Sequence, residues 1–322
     1  MAGEMLWTTQ SGFLTNNKLS KHLQHAAQPL LKFRQFVSIK EAFGKGAGQS
    51  VNWNKIANVG TYGGKLVETN TMNETTQAIT QGTLTVTEYG NAIPFTMKIE
   101  ALSEFDVKEI IEKGLRNDLV KCMDGEVERE FNQTPLRYVG TTTAGGALTT
   151  NGTATATNTS ALNAYHIRRM VDELKKRNVP GYSSADGDYV CIASIEAISG
   201  MAGALESINQ YVESGHKKIA NGEVGRYYGC RFVEDRFATR FTYDSTARTA
   251  TAKAWTTANS LDAYVFGSDT VREAVVIPEE IRMKVVTDYG RSKGIAWYFL
   301  GGWKLEWTDA PSARIIKWDS LA

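Results

Sequence analysis

The sequence predicts an α+β chain, and three observations predict it. Residues 103 to 131 carry the longest uninterrupted helical pattern, residues 163 to 234 alternate helix and strand, and the last third alternates apolar and polar residues as strands do. With 322 residues, 42% of them hydrophobic, the chain can bury a real core and is long enough for two domains, or for one with large excursions.

Composition sets limits on function. Lys and Arg number 36 against 35 Asp and Glu, a net charge of +1, and no block of the sequence is strongly basic. Such a chain is not built to grip nucleic acid by neutralising phosphates, although it can face nucleic acid without holding it. The opening MAGEMLWTTQSGF lacks a charged region followed by an apolar one, so no signal peptide is expected. The longest apolar run, residues 294 to 303, falls far short of the roughly 20 residues of a membrane helix. Cys122, Cys191 and Cys230 are widely spaced, which gives neither a disulfide framework nor a CxxC site; they read as small buried hydrophobes in a reducing compartment.

In chain order, residues 1 to 44 read as a locally basic arm. Its helical patch, Leu19 to Phe36, is broken at Pro29, and its aromatics Trp7, Phe13, Phe33 and Phe36 follow no period. From Gly44 to Thr83 the chain is rich in Gly, Asn, Thr and Gln, with a strand at Ser50 to Ile56 and a turn at Tyr62 to Lys65. Gln81 to Glu100 alternates as strand across Pro94. A polar excursion of this length between two strands is too long for a compact-domain loop and is expected to project as a hairpin.

Ser103 to Phe131 is expected to be one helix capped by Ser103, a rod of roughly 43 Å for 29 residues. Its apolar residues Val107, Ile111, Leu115, Leu119, Met123, Val127 and Phe131 recur every four, so the buried face winds round the rod. Gly114 and Gly125 are expected to mark close approaches or a bend. Tyr138 to Leu162, a Thr/Gly/Ala/Asn tract, reads as a boundary or surface loop without a core. Asn163 to Asn178 is an amphipathic helix, Asp188 to Ser194 a buried strand, Ile195 to Glu213 a broken helix and Gly229 to Glu234 a strand, the order of an α/β sandwich. After a second excursion, Ala238 to Asn259, strands are expected at Ala263 to Ile277, Ile281 to Asp288, Ile295 to Trp307 and Arg314 to Trp318.

No chemical constellation stands out. His22 and His25 are three residues apart with no intervening glutamate, unlike a zinc HExxH pair, and His166 and His216 are isolated. Gly44 to Ser50 fails both phosphate-loop patterns, and no GxSxG elbow is present. The carboxylates Glu126, Glu128 and Glu130, and the pair Glu279 and Glu280, read as solvated charge rather than a glycosidase pair. The chain is therefore expected not to be an enzyme and to need no cofactor or metal.

Three segments carry a resemblance. TLTVTEYGNAIPFTMKIEALSEFDVKEIIEKGLRNDLVKCMDGEVEREF ends in the acidic stretch at Asp124 and Glu126. DYVCIASIEAISGMAG is followed by ANGEVGRYYGCRFVEDRF, with Gly222, Gly225, Gly229 and Val233 in the pattern. YVFGSDTVREAVVIPEEIRMKVV leads into WYFLGGWKLEW and PSARIIKW. Together, over residues 45 to 320, they resemble the major capsid proteins of tailed bacteriophages (Caudoviricetes) with the Hong Kong 97-type fold, the N-four-like podophage branch being nearest.

The resemblance implies a Hong Kong 97-type capsid fold with an N-terminal arm (1–44) and an extended loop (45–95). A peripheral domain (96–150) would contain the spine helix 103–131, and an axial domain (151–260) would carry an inserted loop (238–259). Peripheral return strands (261–308) and a C-terminal strand (309–322) complete it. It implies self-assembly through hexamers and pentamers into an icosahedral virion shell around double-stranded DNA, in the host cytoplasm. With about 100 residues before the helix, a separate scaffolding protein is expected, with a portal and possible decoration protein. Contacts between subunits are expected at Trp53, Tyr62, Lys65, Glu68, Arg116, Glu126, Glu279, Glu280 and Arg282, Lys65 being also a crosslink candidate by position. The alternatives are another β-rich phage subunit (tail or adhesin), although no repeats are found, or a carbohydrate-active hydrolase using Trp53, Trp255 and Trp303 as sugar platforms.

Overall fold

The computed structural model describes residues 32–37, 39–42, 48–56, 59, 63–69, 71–72, 74–154, 156–182, 188–199, 201, 226–253 and 262–319. The expectations for the arm before residue 32, for Tyr62, Trp255, His22, His25, His216, Gly222 and Gly225, and for most of the helix 195–213 lie outside the described residues.

A 3-10 turn (Phe33–Phe36) leads into strands β1 (Ile39–Ala42), β2 (Ser50–Ile56), β3 (Ile79–Thr85) and β4 (Thr87–Thr96). Helices α1 (Met97–Leu102) and α2 (Val107–Phe131) follow, then β5 (Leu136–Thr142), β6 (Gly145–Thr149), α3 (Ala164–Lys176), β7 (Tyr189–Ser194), β8 (Arg226–Tyr227) and β9 (Cys230–Asp235). The remainder is β: β10 (Phe241–Asp244), β11 (Thr249–Ala252), β12 (Ala263–Phe266), β13 (Val271–Met283), β14 (Ser292–Leu305) and β15 (Ile315–Trp318).

Two sheets carry the molecule. A four-stranded sheet runs β1-β13-β14-β4 and a seven-stranded sheet runs β6-β5-β15-β12-β7-β9-β8, while β2-β3 and β10-β11 are separate hairpins. Pro94 fits because, among the described residues, β4 is an edge strand of its sheet, where a missing N–H need not cost a ladder bond. The central strands of the larger sheet are buried on both faces. Val190, Ile192, Tyr264 and Phe266 join the core under α2, whereas Tyr189, Cys191, Ala193 and Val265 join the one under α3. A third cluster, Val51, Trp53, Leu84, Val86 and Ala274, seats the base of the β2-β3 hairpin on β13.

The long helix starts later than Ser103. Thr96 caps α1 by accepting from Ile99 N at 3.5 Å, Ser103 closes a turn with Phe105, and Asp106 caps α2 by accepting from Lys108 N at 2.9 Å. Met97 and Ile99, expected in a strand, therefore lie in α1. The tract Tyr138 to Leu162 is also not a coreless loop. Its first part is the β5-β6 hairpin, in which Tyr138 and Val139 are buried and β5 pairs with the final strand. Its glycines make room for aromatics: a Cβ on Gly140 would lie 2.4 Å from the Trp318 ring. The second excursion, Ala238 to Asn259, contains the β10-β11 hairpin.

The two glycines of α2 part company. A Cβ on Gly125 would come within 2.8 Å of Tyr243 Cβ and Cγ on β10, so this glycine is a close approach. Gly114 has nothing within 4 Å of that position. Gly114→Ala is expected to stabilise the fold by about 0.5–1 kcal/mol through lower unfolded-state entropy. Gly125→Ala is expected to destabilise it by about 1–3 kcal/mol through overpacking. Urea midpoints of the two variants moving in the same direction would contradict this assignment.

Candidate interaction surface

Glu126, Glu128 and Glu130 of α2, expected in solvent, are buried, as is Asp124 on the same helix; all four are under 10% exposed. Burying a charge is costly unless it is paired and hydrogen-bonded, and each acid has found partners far along the chain. Glu126 accepts from Tyr89 Oη at 3.3 Å and Arg129 at 3.4 Å. Glu130 accepts from the Leu305 backbone N at 3.1 Å and from Gln133 at 3.0 Å.

Glu128 opens a larger network, accepting from Tyr264 Oη at 2.5 Å and Lys253 Nζ at 3.1 Å. Lys253 and Lys317 then share Asp262 Oδ2, at 3.1 and 3.2 Å. Lys317 also donates to Asn132 Oδ1 at 2.9 Å, and Arg137 reaches Asp319 at 3.0 Å. Three anions face three cations here. The cluster ties the end of α2 to β12, β15, β5 and the β10-β11 hairpin. Burial alone would raise the Asp262 carboxyl, but Lys317 and Lys253 outweigh it and hold it below the usual range. Glu128, wholly enclosed, is pushed up by burial.

Asp124 anchors the arm. Its Oδ1 accepts the backbone N–H of Lys32 at 3.1 Å and of Phe33 at 2.9 Å, which fixes the 3-10 turn against α2. Burial, reinforced by the charge of Asp235, pushes its carboxyl up to about 7. A carboxyl raised on folding contributes stability in full below its unfolded value and loses that contribution as pH rises through the folded one. Asp124→Asn is thus expected to flatten the fall in stability between about pH 4 and about pH 7, measured as urea midpoints across that window. An unchanged slope would contradict it.

Arg34 completes the anchor. It lies 2.8 Å from the wholly buried Glu273, pairs with Glu279, and donates to Met123 Sδ at 3.2 Å. Glu279 is therefore engaged within the chain, as is Glu126. Trp53, 7% exposed, packs under Arg272 at 4.7 Å from its ring centre. Trp303 is 6% exposed, so neither tryptophan is a sugar platform. Glu280 and Arg282 form an exposed pair on β13 with Arg282 over Tyr298, and Arg116 is exposed on α2 near Glu112. Lys65 and Glu68 are exposed between β2 and β3. His166, isolated in sequence, is buried against Trp318 at 4.9 Å and held down to about 4 by burial, hence neutral.

Composition alone missed the exposed apolar residues at the far ends of two hairpins. Ile56, Val59, Leu66, Val67, Met72 and Ile79 stand out along the β2-β3 excursion; Met283, Val285, Val286 and Tyr289 do so around the β13-β14 connection. A monomer rarely leaves such groups of large apolar side chains uncovered, and both groups are consistent with burial against another surface. Among the described residues, no helix is long and apolar enough to cross a membrane.

No protein-family model and no curated protein matches this sequence. Solved structures do. The capsid of cyanophage P-SCSP1u superposes with a TM-score of 0.66 at 13% identity, over 96% of this chain and 93% of that one. The acidic stable capsid of Helicobacter pylori bacteriophage KHP30 gives 0.67 at 12%, over 99% of both chains. The capsid of cyanophage Pam1 gives 0.62 at 14%, again over 99% of both. Along nearly its whole length, this mixed α/β chain has the fold seen in bacteriophage capsid structures.

Proposed function

We propose that this chain is the major capsid protein of a tailed bacteriophage, of Hong Kong 97-type architecture, which assembles through hexamers and pentamers into an icosahedral shell around double-stranded DNA. The observation that carries the reading is the end-to-end likeness to phage capsids, with 99% of both chains covered in two cases. Under this reading residues 1–44 are the arm, 45–95 the extended loop, and 96–150 with 261–308 the peripheral domain whose spine is α2. Residues 151–260 are the axial domain, with an insertion at 238–259, and 309–322 return a strand to it. The role is structural rather than catalytic, and the product is located in the virion. A scaffolding protein and a portal complete the set of partners, with room for a decoration protein.

Subunit contacts then fall to the residues left exposed: Lys65, Glu68, Arg116, Glu280 and Arg282, with Tyr62 beside them in sequence. The apolar side chains of the two hairpin ends supply the driving force and these charges the register. The loop provides the test. Ile56 and Ile79 are paired partners, so a two-residue Asn-Gly turn can replace residues 57–78 and close the hairpin. The shortened chain is expected to keep its thermal midpoint and lose shell formation in negative-stain micrographs. Shells of normal yield from it would remove the loop from the assembly mechanism.

A further inference from the structure

Charge is nearly balanced over the chain, yet one surface departs from that balance. Helix α3 buries His166, Ile167, Met170, Val171 and Leu174 against the seven-stranded sheet. Its opposite face presents Arg168, Arg169, Lys175 and Lys176, all exposed. Two acids lie among them: Asp172 accepts from Tyr228 Oη at 2.9 Å, and Glu173 pairs with Arg177 at 2.9 Å and reaches Lys176 at 4.0 Å, so that with Arg177 the face carries five cations against two carboxylates.

Tyr228 gives this face an organised centre. It sits in the β8-β9 turn with a φ of 51°, a left-handed conformation uncommon for a tyrosine, and remains 42% exposed. Arg168 lies 5.2 Å and Lys175 4.6 Å from its ring centre. The ring holds two cations that would otherwise sample many rotamers, from positions about two turns apart on one helix. The pairs Arg168/Arg169 and Lys175/Lys176 are seven residues apart, about 10 Å along the axis, close to the roughly 12 Å width of the DNA major groove that phosphates border. Among the described residues, what this face exposes is four cations around one tyrosine ring, a chemistry that favours a polyanionic backbone over an apolar peptide.

We infer that this outward face of α3, with Tyr228, is the surface through which the chain meets the backbone of double-stranded DNA, weakly and without sequence preference. The inference rests on the shell reading and deepens it by naming the DNA-facing surface. Four cations are enough for a salt-sensitive contact and too few to immobilise a genome.

The experiment titrates a short labelled duplex of mixed sequence with the full chain, following fluorescence anisotropy over a series of salt concentrations. Four phosphate contacts predict a slope of log affinity against log salt of about −3 to −4. The variant R168Q/R169Q/K175Q/K176Q is expected to bring the slope close to zero and weaken low-salt binding by about tenfold or more. The control K113Q/R236Q removes two exposed cations elsewhere and is expected to change neither. Circular dichroism establishes folding of each variant, and R168K/R169K, which keeps the charge, is expected to retain the slope. An unchanged slope in the quadruple variant, or binding of poly-glutamate but not of duplex, overturns the inference. Micrographs of the same preparations separate the two levels: shells with an unaltered DNA titration overturn this inference alone, whereas failure to form shells under any condition overturns the reading beneath it.

Discussion

Replacing Asp262 by alanine is expected to lower the unfolding free energy by about 3–5 kcal/mol, because it leaves two buried ammonium groups without their shared carboxylate. Asp262 is 1% exposed, and Lys253 and Lys317 approach its Oδ2 to 3.1 and 3.2 Å. The remaining anions cannot take its place. Glu128 already serves Tyr264 and Lys253, and Asp319 lies 3.9 Å from Lys317 and is held by Arg137. The pH sign follows from the lowered carboxyl: its contribution is present above the ordinary carboxylate range and lost as pH falls through the folded value. The variant should therefore lose most relative to wild type at neutral pH and converge with it in acid. Urea unfolding of the unassembled chain measures this, and a loss below about 1 kcal/mol at neutral pH would mean that the cluster is not coupled to the fold as described.

Phe131→Ala is expected to cost about 3–5 kcal/mol and to release the 3-10 turn of the arm as well. Phe131 is fully buried at the end of α2, with ring centres 5.1 Å from Phe266, 5.4 Å from Phe33 and 6.0 Å from Tyr264 in edge-on geometry. Removing it opens a cavity at the point where the arm, α2 and β12 meet. Phe131→Leu, which refills most of that volume, is expected to cost about 1–2 kcal/mol. Hydrogen exchange at Phe33, whose amide is held by Asp124, should rise strongly in the alanine variant and little in the leucine one. Equal protection in both would place the arm's anchorage elsewhere.

How far the sequence could be read depended on how local the determining physics was. Strands such as Tyr189–Ser194, Ser292–Leu305 and Ile315–Trp318 were legible because both-face burial and period-two alternation are written in consecutive residues. Helix α3 was legible from end to end, since Asn163 caps it and Asn178, at φ 54°, ends it before Pro180. The start of α2 was not. Ser103 and Asp106 are both competent caps, and nothing nearby says that Ser103 closes a turn while Asp106 starts the helix.

The buried acids were illegible for a stronger reason. Glu128 looks like a surface charge until Lys253, 125 residues later, and Tyr264, 136 residues later, are brought to it. Likewise a Thr/Gly tract reads as loop until β15 arrives beside β5 and the Trp318 ring fills the space above Gly140. Among the contact candidates, the sequence could separate charged from apolar residues but not free from engaged ones. Glu279 and Trp53 turned out to be held by Arg34 and Arg272 within the chain.

The proposed role is that this fold builds a shell. The most direct measurement is negative-stain electron microscopy, with light scattering, of the full chain expressed together with a cognate scaffolding protein. The account predicts closed shells of uniform size, with five- and six-fold rings among partial assemblies. A monodisperse monomer across salt and protein concentrations, in the presence of that scaffold, would contradict it.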